Sequence, residues 1–252
     1  MQNDTSAATE LDVELKAAEK LAETGTLDLM PLIQMADRLG TAGRVSEVIN
    51  LYRCWLSNTK SPIAHIARFN LAVALSAVER LPEAEEVYRK AIYERPDFAQ
   101  CWFNLGAVIE RQKRPEQALA IWKSMLEHPL VGPDLNRDLY ILVLNSMGRL
   151  LEEIRQLQPA EQKLFASLQT DPEQPKVIQH WVHLRQKQCE WPVYCDLDNL
   201  SYGKMIQATS PLAMLSATDD PGLQLAAAVH FAIERVNLRV PVLAPASGYA
   251  HD

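Results

Sequence analysis

HIARFNLAVALSAVERLPEAEEVYRKAIYERPDF (65–98) runs directly into AQCWFNLGAVIERQKRPEQALAIWKSMLEHPLVG (99–132), and the two read as one template written twice. Setting His65 against Ala99 aligns Asn70 with Asn104, Leu71 with Leu105, Ala72 with Gly106 and Leu75 with Ile109. The same register aligns Ala84 with Ala118 and Tyr88 with Trp122, so the period is 34 residues. A unit of two short amphipathic helices cannot bury its own apolar face, whereas stacked copies can. Such a stack is a curved solenoid whose inner surface suits an extended ligand. Binding rather than catalysis is therefore the first expectation.

Working outward, the template continues in both directions. Ala36, Leu39, Val48 and Tyr52 take the matching places of a copy that starts near Leu29, after a two-residue slip. Met147, Gly148, Leu151, Ala160 and Pro172 fit a fourth copy starting near Ile141, displaced by an eight-residue insertion across 128–140. A period of 34 residues is that of tetratricopeptide repeats. The pattern has physical reasons. Ala72, Gly106 and Gly148 are small where the first helix of a repeat (helix A) must approach the second (helix B), and Ala84, Ala118 and Ala160 are the small partners on helix B. Tyr52, Tyr88 and Trp122 are the bulky wedges between repeats. Pro96 and Pro172 end helix B, since proline lacks the amide and clashes with the preceding turn. Pro82, Pro115 and Pro159 lie at helix B starts, where a missing amide costs nothing.

The expected fold is all-α: a tetratricopeptide-repeat α-solenoid, a superhelix of helix pairs, with a helical C-terminal cap. Residues 1–28 hold an N-terminal helix around 9–22. The four repeats are 29–64, 65–98, 99–132 and 141–174. Residues 175–237 form the cap and junction, with helices near 176–188 and 221–236 and a loop with short helical turns across 191–218. The stretch 238–252, rich in proline and alanine, reads as an extended linker to a C-terminal domain absent from the chain.

Net charge of −7 argues against a nucleic-acid surface, which needs a concentrated basic face. Arg111, Lys113 and Arg114 form a small basic knot, but at a helix end they complement the helix dipole. The first residues are polar, and no uninterrupted apolar stretch is long enough to cross a bilayer, so neither a signal peptide nor a membrane partner is expected. A reducing cytoplasm suits the four cysteines, none of which forms a Cys-x-x-Cys pair; Cys54 and Cys101 read as buried thiols.

Motifs for chemistry are sparse. There is no glycine-rich phosphate loop, no Gly-x-Ser-x-Gly and no His-Glu-x-x-His. His180 and His183 lie three apart ahead of Cys189, a spacing that matches no common zinc pattern, and helix surface or packing is the preferred reading. Asp219-Asp220-Pro221 reads as a helix N-cap with proline in the first turn. Trp181 and Trp191 are read as core. No cofactor, metal site or catalytic residue is expected.

The ligand groove is the face lined by helix A. It puts forward Phe69, Asn70, Val73 and Ala77 from the second repeat and Phe103, Asn104, Ala107 and Arg111 from the third. An asparagine amide has donors and an acceptor, so Asn70 and Asn104 at one repeat position could hold a peptide backbone bidentately while ignoring its side chains. The bland alternative is that each bonds a neighbouring turn. Ser146 and Gln34 take this place in the fourth and first repeats, so the ladder is short. A carboxylate clamp for a chaperone tail is discounted, because Ile33, Gln100 and Asn104 stand where lysines or arginines would be needed.

After the repeats, Gln179-His180-Trp181-Val182-His183-Leu184-Arg185-Gln186-Lys187-Gln188-Cys189-Glu190-Trp191 carries a Leu-Arg-x-x-x-Cys-x-Trp stretch. It resembles the junction of bacterial O-linked N-acetylglucosamine transferase-like proteins of the SPINDLY type. Ser210-Pro211-Leu212-Ala213, Asp219-Asp220-Pro221 and Gln224-Leu225 are similar to the continuation of that junction. The resemblance implies that the repeats recruit an acceptor polypeptide whose backbone Asn70 and Asn104 hold. It also implies a separate C-terminal domain pair that uses the nucleotide sugar UDP-N-acetylglucosamine. The family's strand motif, roughly Gly-Tyr-x-Ser-x-Asp-Phe, is not matched by Gly248-Tyr249-Ala250-His251-Asp252, so no catalytic residue is carried over and this chain alone is expected to be inactive. Three classes stay open: an acceptor-recognition region of a transferase, a free-standing scaffold for protein complexes, and a self-contained enzyme, which the missing nucleophile–base constellation disfavours. The expected partner is a polypeptide, and apolar positions on the convex face leave room for a homodimer.

Overall fold

Helix ends fall where backbone chemistry puts them. In the computed structural model, which describes residues 2–129, 136–195 and 200–235 (side chains of 2–9, 234 and 235 excepted), thirteen helices form among the described residues. The chain divides into two compact units, Met1–Val143 and Leu144–Asp252, with the division inside a helix.

The first unit begins with α1 (Gln2–Glu23), longer than the helix expected around 9–22. Three helix pairs follow: α2 (Leu29–Thr41) with α3 (Val45–Asn58), α4 (Ala64–Ala77) with α5 (Leu81–Glu94), and α6 (Ala99–Arg111) with α7 (Pro115–Leu126). Each helix packs on the next in order, and α1 lies against α3 and α2. Proline works as the pattern requires: α5 stops at Glu94, ahead of Pro96, while Pro82 and Pro115 occupy the first turn of α5 and α7. Ala84 and Ala118 are fully buried where helix B meets helix A, and Tyr52, Tyr88 and Trp122 are buried as wedges. Buried Trp55 donates from Nε1 to the Leu27 carbonyl at 2.6 Å, tying the segment after α1 to the first pair.

Every helix A of the repeats ends in one turn. Gly43, Glu79, Lys113 and Arg155 take φ of 75°, 60°, 62° and 62° at corresponding positions. The next residue reaches back six-to-one: Arg44 N to Leu39 O (2.9 Å), Arg80 N to Leu75 O (3.0 Å), Arg114 N to Ile109 O (3.3 Å) and Gln156 N to Leu151 O (2.8 Å). This satisfies a helix-end carbonyl and sends the chain back as helix B. Only the first copy uses glycine; the others bear a left-handed conformation that costs an L-residue roughly 1 kcal/mol. Lys113→Gly is expected to stabilise the first unit by about 1 kcal/mol, and Gly43→Ala to destabilise it by about the same, in chemical denaturation. A Cβ added at Gly43 meets nothing within 4 Å, so that cost is conformational only.

The second unit takes in the rest of α8 (Arg137–Glu153), then α9 (Leu157–Thr170) and α10 (Pro175–Lys187). α9 ends two residues before Pro172, and Gly148 faces Leu164 and the Ala160 carbonyl across the pair. α10 ends as a helix A does: Cys189 has φ 55° and Glu190 N donates to Arg185 O at 2.9 Å. There the repeat is abandoned. Instead of a long helix B, the chain buries Val193 and Tyr194 and forms α11 (Tyr202–Ala208) and α12 (Pro211–Ala217) before α13 (Pro221–Arg235). Arg185 holds the departing strand of chain, donating to the carbonyls of Val193 (3.0 Å) and Pro192 (2.9 Å) and to Glu161 (2.6 Å). The stretch expected as a loop with helical turns thus contains two seven-residue helices, and the expected linker at 238–252 lies outside the described residues.

Candidate functional site

The helix A face of the first unit carries most of the side chains singled out by pattern. Asn104, on α6, donates from Nδ2 to the hydroxyl of Tyr88 on α5 at 3.3 Å. Asn70, on α4, makes the equivalent bond to Tyr52 on α3. Burial pushes both phenols up to about 12, and the asparagine bonds only partly oppose it. Each asparagine therefore partners the buried hydroxyl of the preceding repeat, a long-range staple rather than a local turn bond. The rule follows the chain: where the wedge is Tyr, the next helix A carries Asn; after Trp122 that place is Ser146. Truncating Asn70 alone leaves a buried hydroxyl unpaired, so Asn70→Ala is expected to cost about 1–2 kcal/mol of stability. Removing both partners, Asn70→Ala with Tyr52→Phe, should recover most of that in the same denaturation assay.

Half-buried Phe69 sits 5.2 Å from the Phe98 ring and 6.0 Å from that of Tyr88, and Phe103 stacks on Trp122 at 6.3 Å. These aromatics are wedged between helices, with one edge exposed. Ala107 is half-buried on α6. Arg111 is engaged within the protein: one guanidinium nitrogen donates to the Ser76 carbonyl at the end of α4 (2.9 Å) and pairs with Glu79 (2.6 Å). Its neighbour Arg114 meets Glu85 with two bonds of 2.9 Å. Arg111 and Arg114 thus bond the preceding repeat, whereas the sequence alone has them complement the end of their own helix. Ser146 is half-buried on α8, in the second unit.

Three of the expected residues share a cleft. Asn70, Val73 and Ala77 of α4 line about 340 Å³ of space with Ile33, Asp37 and Gly40 of α2 and Tyr52 of α3. Its lining is mainly aliphatic, with Asn70, Tyr52 and Asp37 as the polar members. Asp37 and Gly40 were missed by sequence reasoning, because their repeat counterparts are Val73 and Ser76 and periodicity flags only what recurs.

In the second unit, Lys176, His180, His183 and Lys187 share one face of α10 beside a cleft of about 680 Å³. His180 bonds Glu152, which also takes Lys187 at 2.6 Å. Burial lowers the His183 pKa, with nearby Lys187 adding to it. No group of three His, Cys, Asp or Glu among the described residues is placed to hold a metal. Asp220 Oδ1 accepts from the amides of Gly222 (2.7 Å) and Leu223 (3.3 Å), the expected N-cap. Trp181 is fully buried, but Trp191 is 57% exposed, correcting its reading as core: it falls where the chain leaves the repeat and no helix B covers it. The four cysteines are free thiols; Cys101 is buried, with burial pushing its pKa up to about 12, whereas Cys54 is only half-buried. No helix among the described residues is long and apolar enough to cross a membrane.

No protein-family model and no curated protein matches the chain. Solved structures do. The chain is similar to a crystal structure of MamA protein, with TM-score 0.56 and 14% identity over 88% of this chain and 99% of that one. It is also similar to YrrB, described as a TPR protein with an unusual peptide-binding site, with TM-score 0.52 and 18% identity over 86% of this chain and 97% of that one. A third is pilF of Pseudomonas aeruginosa, with TM-score 0.51 and 20% identity over 87% of this chain and 85% of that one. At such identities the likeness speaks to the fold alone: the chain is an all-α tetratricopeptide-repeat solenoid.

Proposed function

We propose that the helix A face of the first unit binds an extended segment of a polypeptide. The observation that carries this reading is the cleft between α2 and α4, where an asparagine amide oriented by a buried tyrosine hydroxyl meets aliphatic walls at the surface. A tyrosine bond uses one donor of Asn70 or Asn104, and the amide's remaining groups suit a peptide backbone. The half-exposed edges of Phe69 and Phe103, with Val73 and Ala107, supply apolar contact beside each asparagine, and Ser146 extends the pattern in sequence. The peptide-binding description of YrrB is in keeping with this reading.

The test separates binding from folding. The quadruple variant Asn70→Ala, Tyr52→Phe, Asn104→Ala, Tyr88→Phe removes both staples as pairs, so stability should change by only about 1–2 kcal/mol in total. Binding to a peptide array of mixed sequence should nonetheless fall at least about tenfold, the cost of losing one good backbone contact per repeat. Undiminished binding would take the asparagines out of the site.

Within that reading, acceptor recognition for an O-linked N-acetylglucosamine transferase-like enzyme is the finer assignment, supported by the likeness of 179–191 and 210–225 to that family's junction. A free-standing scaffold is the second reading. It is favoured by the way Arg185 and Trp181 are used internally, the first holding Pro192 and Val193, the second as core. Labelled UDP-N-acetylglucosamine and a polypeptide extract, offered to this chain and to one extended along its reading frame, discriminate them. Transfer by the extended chain alone supports the transferase; no transfer by either favours the scaffold.

A further inference from the structure

The two interfaces between successive repeats of the first unit differ at the end of helix A. Between α4 and α6, Arg111 reaches back to the Ser76 carbonyl at the C-terminal end of α4 and pairs with Glu79. Between α2 and α4, the residue in Arg111's position is Ala77, and that in Ser76's position is Gly40. Both line the open cleft, and a Cβ built on Gly40 meets nothing within 4 Å. The end of α2 therefore presents carbonyls and the negative pole of a helix to an unfilled space.

The same cleft holds one ionisable group other than the tyrosine, Asp37. Its carboxylate has no hydrogen-bond or ion-pair partner among the described residues. The arginines nearest in sequence are engaged elsewhere, Arg38 with Glu14 and Arg44 with Asp12 and Glu47. An uncompensated anion, a helix C-terminus and walls formed by Ile33, Val48 and Val73 together select a side chain with an aliphatic stem and a cationic head.

Resting on the proposed polypeptide groove, we infer that the α2–α4 cleft is a specificity pocket for a lysine or arginine of the bound segment. The guest cation takes, at the first interface, the place that Arg111 takes at the second. The pocket occurs once in the unit, because Asp37's counterparts are Val73 and Ala107. It sets the register of the chain, while the asparagines hold backbone without regard to sequence.

Fluorescein-labelled alanine–serine decapeptides with a single central Arg, Lys, norleucine or Glu measure this by anisotropy. The Arg and Lys peptides should bind at least about tenfold more tightly than the norleucine peptide, and the Glu peptide more weakly still. Asp37→Asn should collapse the ratio of cationic to norleucine affinity towards one. Ala77→Arg, which fills the cleft from within as Arg111 does next door, should do the same. Both positions are exposed, so circular dichroism should show intact helices. Equal binding of all four peptides, or a preference that survives both variants, overturns the pocket and leaves the groove standing. Failure of every peptide to bind overturns both.

Discussion

Gly106→Ala is expected to destabilise the first unit by about 3 kcal/mol, and Trp122→Phe in the same chain to recover most of it. A Cβ at Gly106 would lie 2.1 Å from Trp122 Nε1 and 2.5 Å from Cε2, a contact that a rigid indole wedged between helices cannot relieve. Moving the indole also breaks its bond to the Phe103 carbonyl, made at 3.1 Å. The repeats themselves say what the remedy is. Sixteen residues separate the small residue from its wedge in each copy: Ala36 with Tyr52, Ala72 with Tyr88, Gly106 with Trp122 and Gly148 with Leu164. In the three copies of the first unit alanine goes with a six-membered ring and glycine with the larger indole, so there the volume of the pair is held while its members vary; Gly148 with Leu164, in the second unit, is a smaller pair. Phe is chosen because the hydroxyls of Tyr52 and Tyr88 each have an asparagine, and position 146 has serine instead. Alone, Trp122→Phe should cost about 1–2 kcal/mol through the cavity it leaves. The full cycle, read by urea denaturation, should show a coupling of at least about 2 kcal/mol. Simple additivity would refute the volume rule.

Glu85→Gln should cost about 2 kcal/mol at neutral pH, with a cost that fades in acid. Glu85 is 14% exposed on α5 and takes two bonds of 2.9 Å from Arg114, two from Arg89 and one of 2.9 Å from Gln112. Burial by itself would push its carboxyl up, but the bonds from Arg114, Arg89 and Gln112 outweigh that and hold it at about 2. A depressed folded pKa means that the stabilisation is present in full above the ordinary value of 4.5 and is lost as pH falls through about 2. Wild type and variant should therefore differ most at pH 7 and converge between pH 4.5 and 2. Other carboxylates titrate alike in both proteins and drop out of the difference. A gap independent of pH would make the contribution one of shape alone. Because Glu85 and Arg114 belong to adjacent repeats, losing the pair should also broaden the unfolding transition, as nearest-neighbour coupling weakens.

Much of the fold was legible in the chain. Helix A and helix B alternate where the apolar period and the prolines place them, and the small-residue positions are buried as the template requires. What escaped were features that no recurring residue marks. The left-handed turn at Glu79, Lys113 and Arg155 carries no glycine to mark it. The ending of α10 as another helix A was hidden because no helix B follows. Asp37 and Gly40 have no like residue at the corresponding places of the next two repeats, so nothing recurred to draw attention to them.

By itself the sequence determined the all-α repeat class of the fold, because burial of a 34-residue unit against its copies leaves a periodic trace that needs no partner to be read. The tertiary structure decided the occupation of the polar side chains. Asn70 and Asn104 answer buried tyrosines, Arg111 an exposed helix end and Arg114 a carboxylate 29 residues away, and each partner lies on a different helix. The reason is physical: a hydrogen bond depends on direction and on which groups adjoining helices bring within 3 Å or so, whereas apolar burial asks only which face is covered.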